Sequence, residues 1–263
     1  MLTTIKATLE DVEEKQFTHC AINYWLHKLE DAAHVLDDIL NECATQALKY
    51  EGVKGSLSNK DLSVYPTVGL GGLGKTTLAQ LIFNHERIVD HFELRVWVCA
   101  SEDFSFKRII NAIIESTSGH ATADMDSEPL QRRLLDLLQR KRYFLVLDDV
   151  WDDEQGNWQR LKSVLTCGGK GTSTLVTTQH PKVAAIMGMM PSHNVSMLCE
   201  TDCWELFKQR AFGTNDDERA ELMVIGKEIV KKCRGVPLAA IALRSLLRFK
   251  REEKEWLYVL ENK

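Results

Sequence analysis

Leu62-Ser-Val-Tyr-Pro-Thr-Val-Gly69-Leu-Gly-Gly-Leu-Gly74-Lys75-Thr76-Thr77 joins an apolar run to a glycine-rich turn. Leu62 to Leu70 reads as a strand ending in glycines, and Thr76 to Asn84 as the helix that follows. The turn fits G-x-x-x-x-G-K-[ST] in the strand–turn–helix setting that gives this pattern its meaning. Glycines let a backbone wrap closely around phosphate oxygens. The amides of Gly69, Gly71, Gly72, Leu73, Gly74, Lys75, Thr76 and Thr77 would then face a phosphate, and the helix N-terminus adds positive potential. Lys75 would neutralise the β-phosphate of ADP, or the β- and γ-phosphates of ATP, and the Thr76 hydroxyl would ligate Mg²⁺.

Downstream, strands and helices alternate. Leu94 to Ala100, Tyr143 to Val150 and Ser173 to Thr178 read as strands. Phe106 to Glu115 and Leu130 to Gln139 read as helices. Unbroken apolar, β-branched runs separated by helices predict a parallel sheet covered on both faces, an α/β P-loop NTPase core. Tyr143-Phe-Leu-Val-Leu-Asp148-Asp149-Val-Trp151 ends an apolar strand in acid, at the sheet edge where ligands bind in such folds. Asp148 would hold Mg²⁺, and Asp149 could orient or activate a water for hydrolysis. Gln179, after the fourth strand, can hydrogen-bond a terminal phosphate but brings no charge to it.

After Leu198 only helices are expected, over 201–212, 218–232, 237–249 and 254–260. Between two of them, Cys233-Arg-Gly235-Val-Pro237-Leu-Ala239 stops one helix, turns, and opens the next on proline. At the other end, residues 1 to 50 read as a helical hairpin. Leu2, Ile5, Leu9 and Val12 mark a first helix. In the second, Ile22, Leu29, Leu36 and Cys43 repeat every seven residues, with Leu26, Ala33, Leu40 and Ala47 beside them. Glu30, Asp31, Asp37 and Asp38 form an acidic face, which by itself reads as solvated. Residues 51 to 61 carry Gly, Ser and Asn without periodicity and read as a linker.

Bulk composition excludes more than it selects. The chain has 263 residues, 44% apolar and 27% charged, with a net charge of -5, which gives no pull toward nucleic acid or anionic membrane. Its longest near-continuous apolar run, Val236 to Leu243, falls far short of the ~20 residues of a bilayer span. The N-terminus does not read as a secretory signal, and seven scattered cysteines argue against a disulfide framework. A cytoplasmic protein with reduced thiols is expected. Cys199 and Cys203 have no second pair at zinc spacing, so no metal site is expected there.

These motifs, in this order, resemble plant intracellular disease-resistance proteins of the coiled-coil, NB-ARC, leucine-rich-repeat type. Phe92 to Phe104 is similar to the block after the family's first helix, Asp148-Asp149-Val-Trp151 to its Walker B block, and Leu175 to Gln179 to its sensor strand. Leu198 to Phe212 resembles its first helical-domain signature, and Gly235-Val-Pro237-Leu-Ala239 is similar to its Gly-Leu-Pro-Leu-Ala motif. Asp37-Asp38-Ile39-Leu40-Asn41 occupies the place of its Glu-Asp-Val-Ile-Asp motif. The resemblance implies four parts: a partial coiled-coil domain (1–50), a linker (51–61), a nucleotide-binding domain (62–198) and a small helical domain (199–263). It also implies a switch in which ADP holds a resting form and ATP opens it. Pro237 would touch the nucleotide from the helical domain, and hydrolysis would at most be a slow reset. The acidic face would dock a repeat domain, and the N-terminal helices would self-associate or pair with related immune receptors.

Four departures stand against that pattern. The stretch from Cys43 to Leu62 is short and lacks the family's adenine-contacting Val-x-Gly-Arg type of motif. Gln179 stands where the family usually has Arg. The winged-helix domain with its Met-His-Asp motif and the leucine-rich repeats are expected to be missing, so the chain reads as truncated. An interaction fragment with a vestigial nucleotide site is the alternative reading.

Overall fold

A computed structural model of the chain describes residues 62–100, 104–119, 126–211, 220–250 and 252–262, together with Val35, Asp37, Asp38, Ile39 and Asn41. The remainder of the expected N-terminal hairpin and the whole 51–61 linker lie outside the described residues. Two compact units contain the described residues, one within Ala32–Ser196 and one within Met197–Lys263.

The first unit is built on five parallel strands: β1 (Leu62–Val68), β2 (Leu94–Cys99), β3 (Tyr143–Val150), β4 (Thr172–Thr178) and the two-residue β5 (His193–Asn194). Their order is β2-β3-β4-β1-β5. The connecting helices are α1 (Lys75–Asn84), α2 (Glu86–His91), α3 (Phe106–Ser118), α4 (Ser127–Leu138), α5 (Gln155–Leu165) and α6 (Pro181–Met187).

Both sheet faces are covered, which is why β3 is almost wholly apolar. One face buries Val64, Val98, Leu145 and Leu147 with Ile109, Ile113, Leu134, Leu161 and Val183 of the helices. On the other, Phe83 of α1 meets Trp97 edge-on at 5.6 Å, and Phe92 lies 5.2 Å from Phe144. Such ring pairs add about 0.5–1.5 kcal/mol beyond their buried area. Arg95 lies over Phe83 at 5.0 Å and donates to its carbonyl at 2.7 Å, fixing the end of α1 to β2.

Pro66, inside an internal strand, needs a reason, because proline cannot donate to a ladder. The carbonyl of Val64 accepts from Met189 and Met190, and that of Val68 from Val195. The backbone groups of 64, 66 and 68 therefore face the β5 side, where strand pairing begins only at Thr67. Pro66 falls on the unpaired stretch, and the β1–β4 ladder loses nothing. Its ring is also approached closely: a Cβ on Gly188 would sit 2.8 Å from Pro66 Cγ.

Val35 and Ile39 are buried, while Asp37 and Asp38 face outward. Asp37 pairs with Arg87 of α2 at 2.8 Å, so this carboxylate of the acidic face is engaged within its own unit. Glu30 and Asp31 lie outside the described residues.

The second unit holds α7 (Glu200–Ala211), α8 (Ala220–Lys232), α9 (Pro237–Leu247) and α10 (Glu253–Glu261). Its core is Phe207, Ile229, Ala240, Leu247 and Trp256, with Phe207 and Trp256 edge-on at 6.0 Å. Gly235 turns α8 into α9 at φ 75, and its carbonyl accepts from the Leu198 amide at 2.9 Å. No helix among the described residues is long and apolar enough to cross a membrane.

Four elements escape the sequence reading: α2, α5, α6 and β5. Three are short, and α5 begins inside the polar run Asp152-Asp-Glu-Gln-Gly-Asn157, which masks its start.

Candidate functional site

The chain leaves β1, crosses to the far edge at β2, and later passes from β4 to β5 on the other side of β1. The C-terminal end of β1 is thus the switch point of the sheet, where open α/β folds bind their ligands. The loop Gly69–Gly74 lies there. Gly72 and Gly74 adopt φ 78 and 95, conformations costly to any side chain, and Gly74 caps α1 directly before Lys75.

Lys75 is 7% exposed, and its Nζ donates to the Leu70 carbonyl at 3.0 Å. Burial lowers the ammonium's pKa from its ordinary value, an effect opposed by the charges of Asp149 and Asp148. This cation is stripped of much of its water beside two carboxylates, and it gains most from an incoming anion.

Asp148 is buried at the end of β3. Its Oδ1 accepts from the Thr76 hydroxyl at 3.0 Å and from the Thr177 hydroxyl at 2.6 Å. Asp149 occupies φ 59, and its amide donates to Thr177 Oγ1 at 2.8 Å. Between Leu147 and Val150 the β3–β4 register shifts. Three steps on β3 match two on β4, a bulge of the kind found beside active sites. Of the two consecutive acids, Asp148 is the one that accepts from Thr76.

Gln179 leaves β4 toward the loop: a Cβ on Gly71 would lie 3.2 Å from its Oε1. Gly69 is hemmed in from the β5 side, with Val195 O 3.2 Å from its own would-be Cβ, and its amide donates to Thr178 O at 3.3 Å. Leu73 is buried under the loop, Thr76 is exposed, and Thr77 is half-buried. The structure therefore brings Gly69 through Thr77, Asp148, Asp149 and Gln179 to one sheet edge. Pro237 belongs to the other unit, where it opens α9 and is buried.

The sequence reading misses Thr177 and Thr178. A threonine pair in a strand looks like ordinary β-branched filling, and only the bulge opposite reveals what the hydroxyls hold. A separate cavity of about 640 Å³ opens at the ends of β2 and β3, lined by residues including Phe104, Trp151, Asn157 and Arg160 but by none of the loop residues.

Hard oxygen donors, Thr76 and Asp148, adjoin a desolvated lysine and a glycine loop. This set can receive a phosphate chain and a divalent cation together.

Comparison with known proteins gives consistent results. A family model described as the NB-ARC domain matches residues 46–217, and one described as the Rx N-terminal domain matches residues 1–65. Disease resistance protein RGA2 of Solanum bulbocastanum is 38% identical over 340 residues, covering 100% of this chain and 35% of that protein. Disease resistance protein RPP13 of Arabidopsis thaliana is 34% identical over 235 residues, covering 87% of this chain and 26% of that protein. The chain thus spans about a third or less of the length of these curated relatives. The 340 aligned positions exceed the 263 residues here, so the Solanum relative carries residues within the aligned span that this chain lacks. Among solved structures, the Aeropyrum pernix ORC2 protein, in its ADPNP and ADP complexes, aligns with a TM-score of 0.53 at 13% identity, over 86% of this chain and 67% of that one. CDC6P from Pyrobaculum aerophilum aligns at 0.52 and 17% identity, over 87% and 60%. These two likenesses show the fold.

Proposed function

The chain belongs to the NB-ARC family, and on that premise we propose that it is the ADP/ATP-binding switch module of a plant disease-resistance protein. The observation that carries this is the Thr76–Asp148 contact at 3.0 Å beside the buried Lys75, at the mouth of the glycine loop. Lys75 supplies the charge that recognises phosphate, and the loop amides supply its directional hydrogen bonds. Thr76 and Asp148 would hold Mg²⁺, whose chemistry there is to neutralise phosphate charge.

Asp149 is the residue proposed to orient water for a slow reset. Gln179, lying against Gly71, reports a terminal phosphate through a hydrogen bond alone. A neutral reporter gives less stabilisation to transition-state charge than a cation does, so turnover is slow. The N-terminal segment matched by the Rx N-terminal family model is proposed to self-associate or to pair with related receptors, and the site of action is the cytoplasm.

Displacement of a fluorescent ADP analogue by ADP, ATP and GTP, combined with a steady-state phosphate-release assay, tests this reading. The expected result is displacement by ADP and ATP with turnover far below the roughly 1 per second of ordinary enzymes. Turnover near that rate would make the chain an enzyme rather than a switch.

A further inference from the structure

Two buried hydroxyls, those of Thr177 and Thr178, stand side by side at the end of β4. Thr177 Oγ1 donates to Asp148 Oδ1 at 2.6 Å and accepts from the Asp149 amide at 2.8 Å, so one hydroxyl spans both residues of the acidic pair. Next to it, Thr178 Oγ1 donates to Val150 O at 2.7 Å and accepts from the His180 amide at 3.1 Å. Both threonines are fully buried. Together they grip the β3 bulge on either side of its extra residue.

We infer that Thr177 is a positioning residue for the divalent cation: it fixes the Asp148 carboxylate against Thr76 and pins the left-handed turn at Asp149. The inference rests on the nucleotide and Mg²⁺ reading of the site. A carboxylate on a single χ1–χ2 pair has several rotamers, and an unheld one loses entropy when it meets a cation. Here Oδ1 is tied to two hydroxyls, and neither bond uses Oδ2. The hydroxyl also satisfies the Asp149 amide, which the bulge removes from the ladder. Since Thr177 lies two residues before Gln179, β4 links the group that lies against Gly71 to the group that holds the cation.

Thr177→Val keeps the shape and removes both bonds. Thr177→Ser keeps the hydroxyl. Thr174→Val is the control on the same strand, because Thr174 Oγ1 is buried without a hydrogen-bond partner. ADP affinity is measured on the full chain in excess EDTA and then across a Mg²⁺ titration. Thr177→Val is expected to bind ADP in EDTA within about twofold of the parent. Its half-point in Mg²⁺ should rise about 10- to 100-fold, the usual loss when a residue orienting a metal ligand is removed. Thr177→Ser restores the half-point, and Thr174→Val leaves it in place.

An unmoved half-point in Thr177→Val, with the fold intact, overturns the inference. Should the valine variant fail to fold, Thr177→Ala against Thr177→Ser must show the same split. Amide hydrogen exchange at Asp149 in the nucleotide-free chain gives an independent decision. It should be at least about tenfold faster in Thr177→Val, and unchanged exchange refutes the clip. If the parent chain takes up no ADP, the nucleotide reading fails, while the amide measurement still decides the role of Thr177.

Discussion

Gly235→Ala should unfold the helical unit far more readily than any other glycine-to-alanine change in a matched series. Gly235 sits at φ 75, where an L-residue pays about 1–2 kcal/mol. A Cβ there would lie 2.4 Å from Leu198 O, 3.2 Å from Leu198 N and 2.9 Å from Met197 Cβ. Two of those three atoms are backbone and cannot rotate away. Relief requires moving the 197–198 segment, which breaks the 2.9 Å bond from the Leu198 amide to Gly235 O and costs about 0.5–1.5 kcal/mol more. The sum is about 1.5–3.5 kcal/mol. For a unit of this size each kcal/mol moves the midpoint by roughly 4–8 °C. Two other glycines separate the terms. Gly119, which ends α3 at φ 68 with nothing within 4 Å, pays strain alone, about 1 kcal/mol. Gly156, in the first turn of α5 with open space around it, should gain up to about 0.5 kcal/mol as alanine. Thermal melts followed by site-resolved hydrogen exchange give the order Gly235, Gly119, Gly156. A Gly235→Ala chain within 0.5 kcal/mol of the parent would refute the crowding argument.

Gln179→Arg places a cation against the glycine loop and, on the proposed reading, should favour ATP over ADP by roughly tenfold, since charge-assisted hydrogen bonds are about twice as strong as neutral ones. Competition binding reads this, and an unchanged ratio counts against Gln179 facing the terminal phosphate. Tyr143 donates to Leu165 O at 2.6 Å, and burial raises its pKa well above the ordinary value. The folded state keeps a proton that the unfolded state releases above about pH 10, so stability falls as pH rises beyond that point. Tyr143→Phe should flatten this fall while costing about 1 kcal/mol at neutral pH, and chemical denaturation at pH 7 and pH 11 tests both halves. The Arg87–Asp37 pair is half exposed on both sides. Arg87→Ala should therefore cost no more than about 1 kcal/mol, and less at high salt, and a larger loss would mean that Arg87 does more than pair with Asp37.

The glycine loop between β1 and α1 and the acid at the end of β3 were legible in the sequence because each is a local pattern with a fixed setting: strand, turn, then helix for Lys75, and an apolar strand ending in acid for Asp148. The long helices and β1 to β4 follow from periodicity for the same reason. What the sequence hides is pairwise. Nothing in Leu175-Val-Thr-Thr-Gln179 signals that its threonines face a bulge on another strand, since β-propensity explains them equally well. Pro66 likewise reads as an oddity until the hydrogen bonds of Val64 and Val68 show which side of β1 is free. Trp158, Leu161, Val164 and Leu165 do carry the helical spacing of α5, but the acidic and glycine-containing segment before them reads as a loop.

Calorimetric titration of ADP-Mg²⁺ into the chain and into Lys75→Ala tests the central claim most directly. The account predicts saturable one-site binding to the parent. For Lys75→Ala it predicts a loss of at least about tenfold, since a charge-assisted bond to a buried site contributes about 1.5–3 kcal/mol. Identical weak heats from both proteins would contradict it.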